Sequence, residues 1–223
     1  MVDTPMTFAE LKDLADTPAN VRKALQGVTF LAPMDAELPL KLLDATGKLL
    51  ALPALDGWWP LGIVSKDGYE LARDISKDEV EGYGYSDSVR VDISKAAKSL
   101  KVTPLESDKR QQLELAYGID LSQITADATT KEIVFEEPDI PESGEYRLLS
   151  IFMDGTVAKP YYRGFGFAKA KLGDLGSEKF AAEDARSMEL TLDALTGPEG
   201  FSVRHYIGGA AFDPTAQGFK TAA

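Results

Sequence analysis

The stretch KPYYRGFGFAKA, Lys159 to Ala170, decides between two folds. From Arg163 it runs Arg-Gly-Phe-Gly-Phe-Ala-Lys-Ala. That is close to the RNA-contacting strand of an RRM domain: Lys/Arg, Gly, Phe/Tyr, Gly/Ala, Phe, Val, any residue, Phe/Tyr. Ala168 stands where Val belongs, and Ala170 where the last aromatic belongs. An RRM also needs a second aromatic strand upstream, within a βαββαβ unit. The upstream segment KEIVFEEPDIPESGEYRL is acidic, and no helical pattern separates it from RGFGF. Alternation offers a simpler reading. Gly164, Gly166, Ala168 and Ala170 fall on one face of a strand, Phe165 and Phe167 on the other. A face this small admits a close neighbour. The stretch therefore reads as a β-strand whose Gly164 and Gly166 meet packing partners, in the same chain or in another subunit.

The surrounding sequence is also β-like. EYRLLSIFMDG (145–155) is apolar on both faces, as in a strand covered on both sides. EIVFE (132–136) reads as a strand leading into the acidic turn EPDIPESGE. SMELTLDAL turns Met188, Leu190, Leu192 and Ala194 inward, and GFSVRHYIGG places Phe201, Val203, His205 and Ile207 on one face. Nearer the N-terminus, Asp67-Gly68 between two runs signals a hairpin. SVRVDIS sets Val89, Val91 and Ile93 opposite Arg90, Asp92 and Ser94, and SLKVT sets Leu100 and Val102 together before Pro104.

Helical signals are few. Thr7 to Glu10 forms a capping box ahead of Leu11 and Leu14. Thr17-Pro18 can start a second helix ending at Gly27, although NVRKALQGVTFLAP is equally readable as extended from Val21. Residues 107–117 form an amphipathic helix, capped by Ser107 or Asp108, stopped by Gly118, with Leu113, Ala116 and Tyr117 on its apolar stripe. Pro33, Pro39, Pro53 and Pro60 make residues 33–60 a long, partly apolar loop, which suits a partner surface. The ending PTAQGFKTAA is small and polar, a mobile tail.

Composition narrows the chemistry. The net charge of −12 opposes phosphate binding, which depends on Lys/Arg and counterion release. There is no Cys and one His, which removes disulfides, thiol nucleophiles and the usual zinc sites. His205, in a strand pattern, reads as a core or interface histidine. Gly47-Lys48 lacks the rest of a phosphate loop, and Gly82-Tyr83-Gly84 lacks the third glycine of a dinucleotide fingerprint. There is no nucleophile elbow and no calcium loop. A glycosidase pair cannot be picked out among 36 acidic residues. No apolar run reaches the roughly 20 residues of a membrane span, and the N-terminus lacks a signal-peptide pattern. The expectation is no enzyme, no cofactor, no metal site and no membrane.

The order of these features resembles the major tail (tail tube) proteins of long, non-contractile-tailed phages, especially those of actinobacteria. The resemblance is carried by LGIVSKDGYELARDISKDEVEGYGYSDSVRVDIS (61–94) and KSLKVTPLESDKRQQLELAYGIDLS (98–122). Its landmarks are Leu61-Gly62, Asp67-Gly68, Glu106 and Tyr117-Gly118, and it covers roughly residues 20–212. The stretch before Asn20 and the loop between Pro33 and Pro60 are fuller than that family usually shows.

The resemblance implies a mainly β fold: an antiparallel β-sandwich or barrel of the tail tube type, flanked by one α-helix. The expected layout is an N-terminal helical or extended arm (1–27), a tail tube domain (28–212) holding the 33–60 loop and the 107–117 helix, and a C-terminal tail (213–223). It further implies homo-hexameric rings stacked into a tube in the virion tail, of subunits made in the host bacterial cytoplasm. Expected partners are other copies, the tape measure protein in the lumen, the tail terminator and distal tail proteins, and DNA in transit without specific binding. Six copies at −12 give 6 × −12 = −72 per ring, a wall that repels phosphate within a screening length of about 8–10 Å. Glu79, Glu81 and Asp92 are the candidate lumen-facing acids; Trp58, Trp59, Leu61, Gly164 and Gly166 are the candidate subunit contacts. The competing reading is a carbohydrate-binding β-sandwich using Trp58 and Trp59; a carboxylate hydrolase is the third.

Overall fold

A computed structural model describes residues 6–51 and 57–220. Its elements are α1 (Phe8–Ala15), a 3₁₀ turn (Pro18–Asn20), β1 (Gln26–Pro33), β2 (Trp59–Pro60), β3 (Val64–Glu81), β4 (Ser88–Pro104), α2 (Arg110–Tyr117), β5 (Glu145–Thr156), β6 (Lys159–Leu175), β7 (Leu190–Leu195) and β8 (Val203–Gly208). The eight strands form one antiparallel sheet in the order β2-β1-β5-β6-β7-β4-β3, with β8 added on β6.

The strand containing RGFGF is the hub of this sheet. One edge of β6 pairs with β5 from Lys159 to Lys171. Its other edge is shared: Tyr162–Phe167 pair with β8, and Lys169–Leu175 with β7. The change of partner coincides with a bulge, because Leu148 faces Phe167 while Tyr146 faces Ala170. An extra residue here bends the strand and shifts its phase. Ala170 therefore joins the Phe167 side rather than the face of Gly164 and Gly166.

The sheet has an apolar cluster on each face. Leu31, Leu148, Phe165, Phe167 and Ala170 pack with Leu61, Leu100, Val102, Leu115, Leu190 and Leu192 as the sheet curls over itself. Tyr69 of β3 reaches Phe152 of β5 edge-on at 5.0 Å, which closes the curl. On the other face, Phe30, Ala32, Leu149, Ile151 and Tyr206 are covered by Leu38, Leu42 and Trp58 of the loop between β1 and β2.

Several expectations are corrected. Asp67-Gly68 is not a hairpin turn; β3 runs through it with a register irregularity between Val64 and Tyr69, where Gly68 takes φ +76°. The hairpin turn lies at residues 82–87. The second N-terminal helix is only the 3₁₀ turn, and Gly27 lies in β1. Residues 132–136 form no strand. The buried stripe of α2 is Gln112, Leu115 and Ala116, and its N-cap is Lys109 without a side-chain cap. In β8, Val203, His205 and Ile207 do share a face, with Val203 packed beside Phe167, but the buried residue is Tyr206 on the opposite, loop-covered face, whose hydroxyl donates to Pro39 O at 2.6 Å. His205 lies on the Phe165 face, exposed at its margin beside Arg73, 3.1 Å away. The C-terminal segment packs in its described part: Phe212 lies against Tyr161 and Phe219. Pro53, the tail beyond Lys220 and the first five residues lie outside the described residues.

Candidate assembly surfaces

The landmarks Leu61-Gly62 and Glu106 meet beside α2, which Tyr117-Gly118 ends. Leu61 is fully buried, and its carbonyl accepts from the Gln112 side chain of α2. Glu106 accepts from Ile63 N at 2.7 Å and pairs with Lys109 at 2.6 Å. The Lys109 ammonium first, then the Ile63 N–H, hold this carboxyl below the ordinary glutamate value. Gly62, at φ +91°, lies under that carboxylate: a Cβ there would sit 2.6 Å from Oε1. Gly118, at φ +61°, ends α2 in the left-handed conformation. A Gly62→Ala variant is expected to lose about 1–3 kcal/mol of stability from backbone strain and collision with Glu106. A fall in the urea midpoint at unchanged slope measures it.

Gly164 and Gly166 face the same chain. A Cβ on Gly164 would lie 2.8 Å from Leu42, and one on Gly166 2.6 Å from Leu38. The two glycines form the seat of the β1–β2 loop. Arg204 donates to Leu38 O and Pro39 O, and Arg147 Nε donates to Ala36 O. Trp58 is buried in this seat, and Trp59 pairs with Leu31 at the sheet edge. Trp58, Leu61, Gly164 and Gly166 are thus internal supports in the subunit, and Trp58 offers no open ring face to a sugar. Between the seated leucines, Leu40 points outward, 85% exposed.

Arg147 is the buried cation of this region. Its side chain is 5% exposed and pairs with both carboxylate oxygens of Glu199, at 2.6 and 3.0 Å. It also donates to Ala168 O, at the β6 bulge. Sequence gave no hint of this pair, because 52 residues separate the partners.

β7 supports β4 only from Ser99 to Val102. Beyond that, β3 and β4 continue as a two-stranded ribbon, exposed on both faces from residue 74 to its turn. It carries Ile75, Val80, Tyr83, Tyr85, Val89, Val91 and Ile93, all exposed. Such a ribbon is marginally stable alone. Its register separates the candidate lumen acids. Glu79 lies opposite Val91 and Lys77 opposite Ile93, on the face with most of the apolar residues. Asp92 lies opposite Asp78, and its neighbour Val80 opposite Arg90, on the other face. Alternation along β3 puts Glu81 with Glu79. Glu79 and Glu81 therefore lie on one face of the ribbon and Asp92 on the other. Asp92 accepts from Arg90 at 2.6 Å, and Glu79 from the Ser88 hydroxyl at 2.7 Å.

His205 stands where Arg73, Lys98 and Arg163 gather. Burial first, then these three cations, push its imidazole below the ordinary histidine value. Among the described residues, no group of His, Asp and Glu is arranged to hold a metal ion, and no helix is long and apolar enough to cross a membrane.

No curated protein matches the chain. Solved structures that the chain matches include a chain of the sheath–tube complex of an extracellular contractile injection system (PVC) in the extended state. It is 12% identical, covers 92% of this chain and 99% of that one, and has a TM-score of 0.38. The tube-terminating cap of the anti-feeding prophage is 12% identical over 87% of this chain and 97% of that one, with a TM-score of 0.41. The PVC sheath/tube terminator is 12% identical over 93% and 99%, with a TM-score of 0.37. Residues 14–214, which contain every strand, match the family model described as phage tail tube protein. The chain belongs to the phage tail tube protein family and is a structural component of the phage tail.

Proposed function

We propose that the protein is a non-enzymatic tube subunit that assembles as homo-hexameric rings stacked into the tail of a long, non-contractile-tailed phage, around a channel for DNA ejection. The observation that carries this reading is the projecting β3–β4 ribbon, whose apolar side chains have no cover within one subunit. A neighbouring copy supplies that cover. The face with Ile75, Val91 and Ile93 packs on the neighbour, and Glu79 and Glu81 lie at that contact. The opposite face, with Asp78 and Asp92, lines the lumen. There its charge keeps DNA sliding, the reverse of a phosphate-binding design. The β1–β2 loop, held by Trp58, Gly164 and Gly166 and edged by Trp59, presents Leu40 to a second contact. The tape measure protein occupies the lumen before ejection, and terminator and distal tail proteins close the ends. The subunit is made in the host cytoplasm and ends in the virion tail.

Negative-stain microscopy and light scattering of the purified full chain test the reading. Rings or tubes are expected, and a species that stays monomeric at high concentration and with tail partners contradicts it. Asp78→Lys with Asp92→Lys is expected to leave stability near wild type, since exposed charges contribute little. The same virions should eject DNA more slowly, measured by dye release on receptor triggering. Unchanged ejection would move the lumen to another face.

A further inference from the structure

Two features have no counterpart within the subunit. The first is α1. Its capping box satisfies its N-terminus, with Thr7 N donating to Glu10 at 2.7 Å, yet none of its residues is buried. Phe8, Leu11 and Leu14 form an apolar stripe, each more than half exposed. Glu10, Asp13 and Asp16 accompany it, against Lys12 alone.

The second is a groove of about 380 Å³. Tyr69, Leu71, Phe152 and Phe165 supply its aromatic and aliphatic lining, and Arg22, Lys23 and Arg163 its cations. Its one carboxylate, Asp154, already accepts from the backbone N–H groups of Lys23 and Gly155. Arg73, next to His205, adds positive charge nearby. On a chain of net charge −12, this is a cationic rim around an apolar floor. It complements an apolar stripe flanked by acids.

The root of the arm leads away from its own groove. Arg22 stacks on Tyr161 at 4.8 Å and donates to Ala211 O, while Gln217 donates to Asn20 at 2.7 Å. Arg22 and Tyr161 stand between the groove and a second depression holding Thr17 and Asn20. The arm leaves through that second depression.

We propose that α1 of one copy docks in the groove of an adjacent copy, so that neighbouring subunits are tied by exchanged arms. Phe8, Leu11 and Leu14 meet Tyr69, Leu71, Phe152 and Phe165, and Glu10 and Asp13 face Lys23 and Arg163. Exchange of an identical element is a low-cost route to association. The inference rests on the tube reading, since it needs copies side by side.

The chain has no cysteine, so an introduced pair is unambiguous. Leu11→Cys with Ala24→Cys in the full chain, treated with a short bis-maleimide after assembly, is expected to give a ladder of linked chains on a denaturing gel. Adding Lys23→Glu and Arg163→Glu should abolish the ladder, and Glu10→Lys with Asp13→Lys on that background should restore it. Linkage only within single chains overturns the exchange. Rings or tubes that form with their thiols unlinked also overturn it, and leave the tube reading standing. A wild-type chain that stays monomeric overturns both.

Discussion

A chain in which Asn-Gly replaces residues 75–96 is expected to fold and to form no rings. Asp74 and Ala97 are paired across the ribbon, so a two-residue turn joins them in register. No removed residue belongs to either apolar cluster. The shortened subunit should keep its circular dichroism and a denaturation midpoint close to wild type. Assembly should fall to background in negative-stain images, because the exposed Ile75, Val91 and Ile93 are gone. Tubes from the shortened chain would refute the ribbon's role; loss of folding would show that the ribbon supports the body.

The largest single-residue effect on stability is expected at Glu199. Arg147 is enclosed by β1, β5, the β1–β2 loop and the β6 bulge, and Glu199 is its only anionic partner among the described residues. Glu199→Ala leaves a buried guanidinium uncompensated, for which the usual cost is about 3–5 kcal/mol. Partial exposure of Glu199 admits water and points to the low end of that range. The pair also gives stability an acid limb. The Arg147 hydrogen bond holds the Glu199 carboxyl below its ordinary value. Its contribution is complete above the unfolded carboxylate value, about 4.3, and is lost as pH falls through the lower folded value. Urea midpoints across that window should fall with pH in wild type and fall less in Glu199→Gln. Parallel curves would contradict the assignment.

Much of the sheet was legible because its pattern is local. The two-sided apolar run of β5 marks the centre of the sheet, and alternation from Leu190 to Leu192 marks a half-covered strand. The Thr7 capping box and the Gly118 stop are local chemistry too, and both appear in the structure. The misread elements are those settled by distant residues. Asp67-Gly68 has turn chemistry, but continued pairing of Tyr69 with Val102 makes it an irregularity inside a strand. Residues 132–136 have strand propensity and no strand to pair with in the subunit. The burial of Tyr206 follows from its reach to Pro39 in the seated loop, and the phase of Ala170 from an extra residue in β6. The assembly surfaces were only partly legible. Sequence marked Gly164 and Gly166 as a place of close approach, but only the seated loop shows what approaches. Acidity along the ribbon was visible, and the register alone divides it between two faces.

The pairing of Gln26 with Met153 and of Pro33 with Tyr146 has a consequence for synthesis. β1 leaves the ribosome early, and its β5 edge waits unpaired until β5 emerges, because closing so long a loop is entropically unfavourable and slow. The β3–β4 ribbon needs no such wait, since its strands are joined by a short turn. A nascent chain therefore displays its exposed apolar ribbon before it owns a finished body. Asp78, Glu79, Glu81, Asp87 and Asp92, set among the valines, act as gatekeepers during that interval. In the proposed tube assembly, their mutual repulsion would delay contact between unfinished copies on a shared message, so that association follows folding.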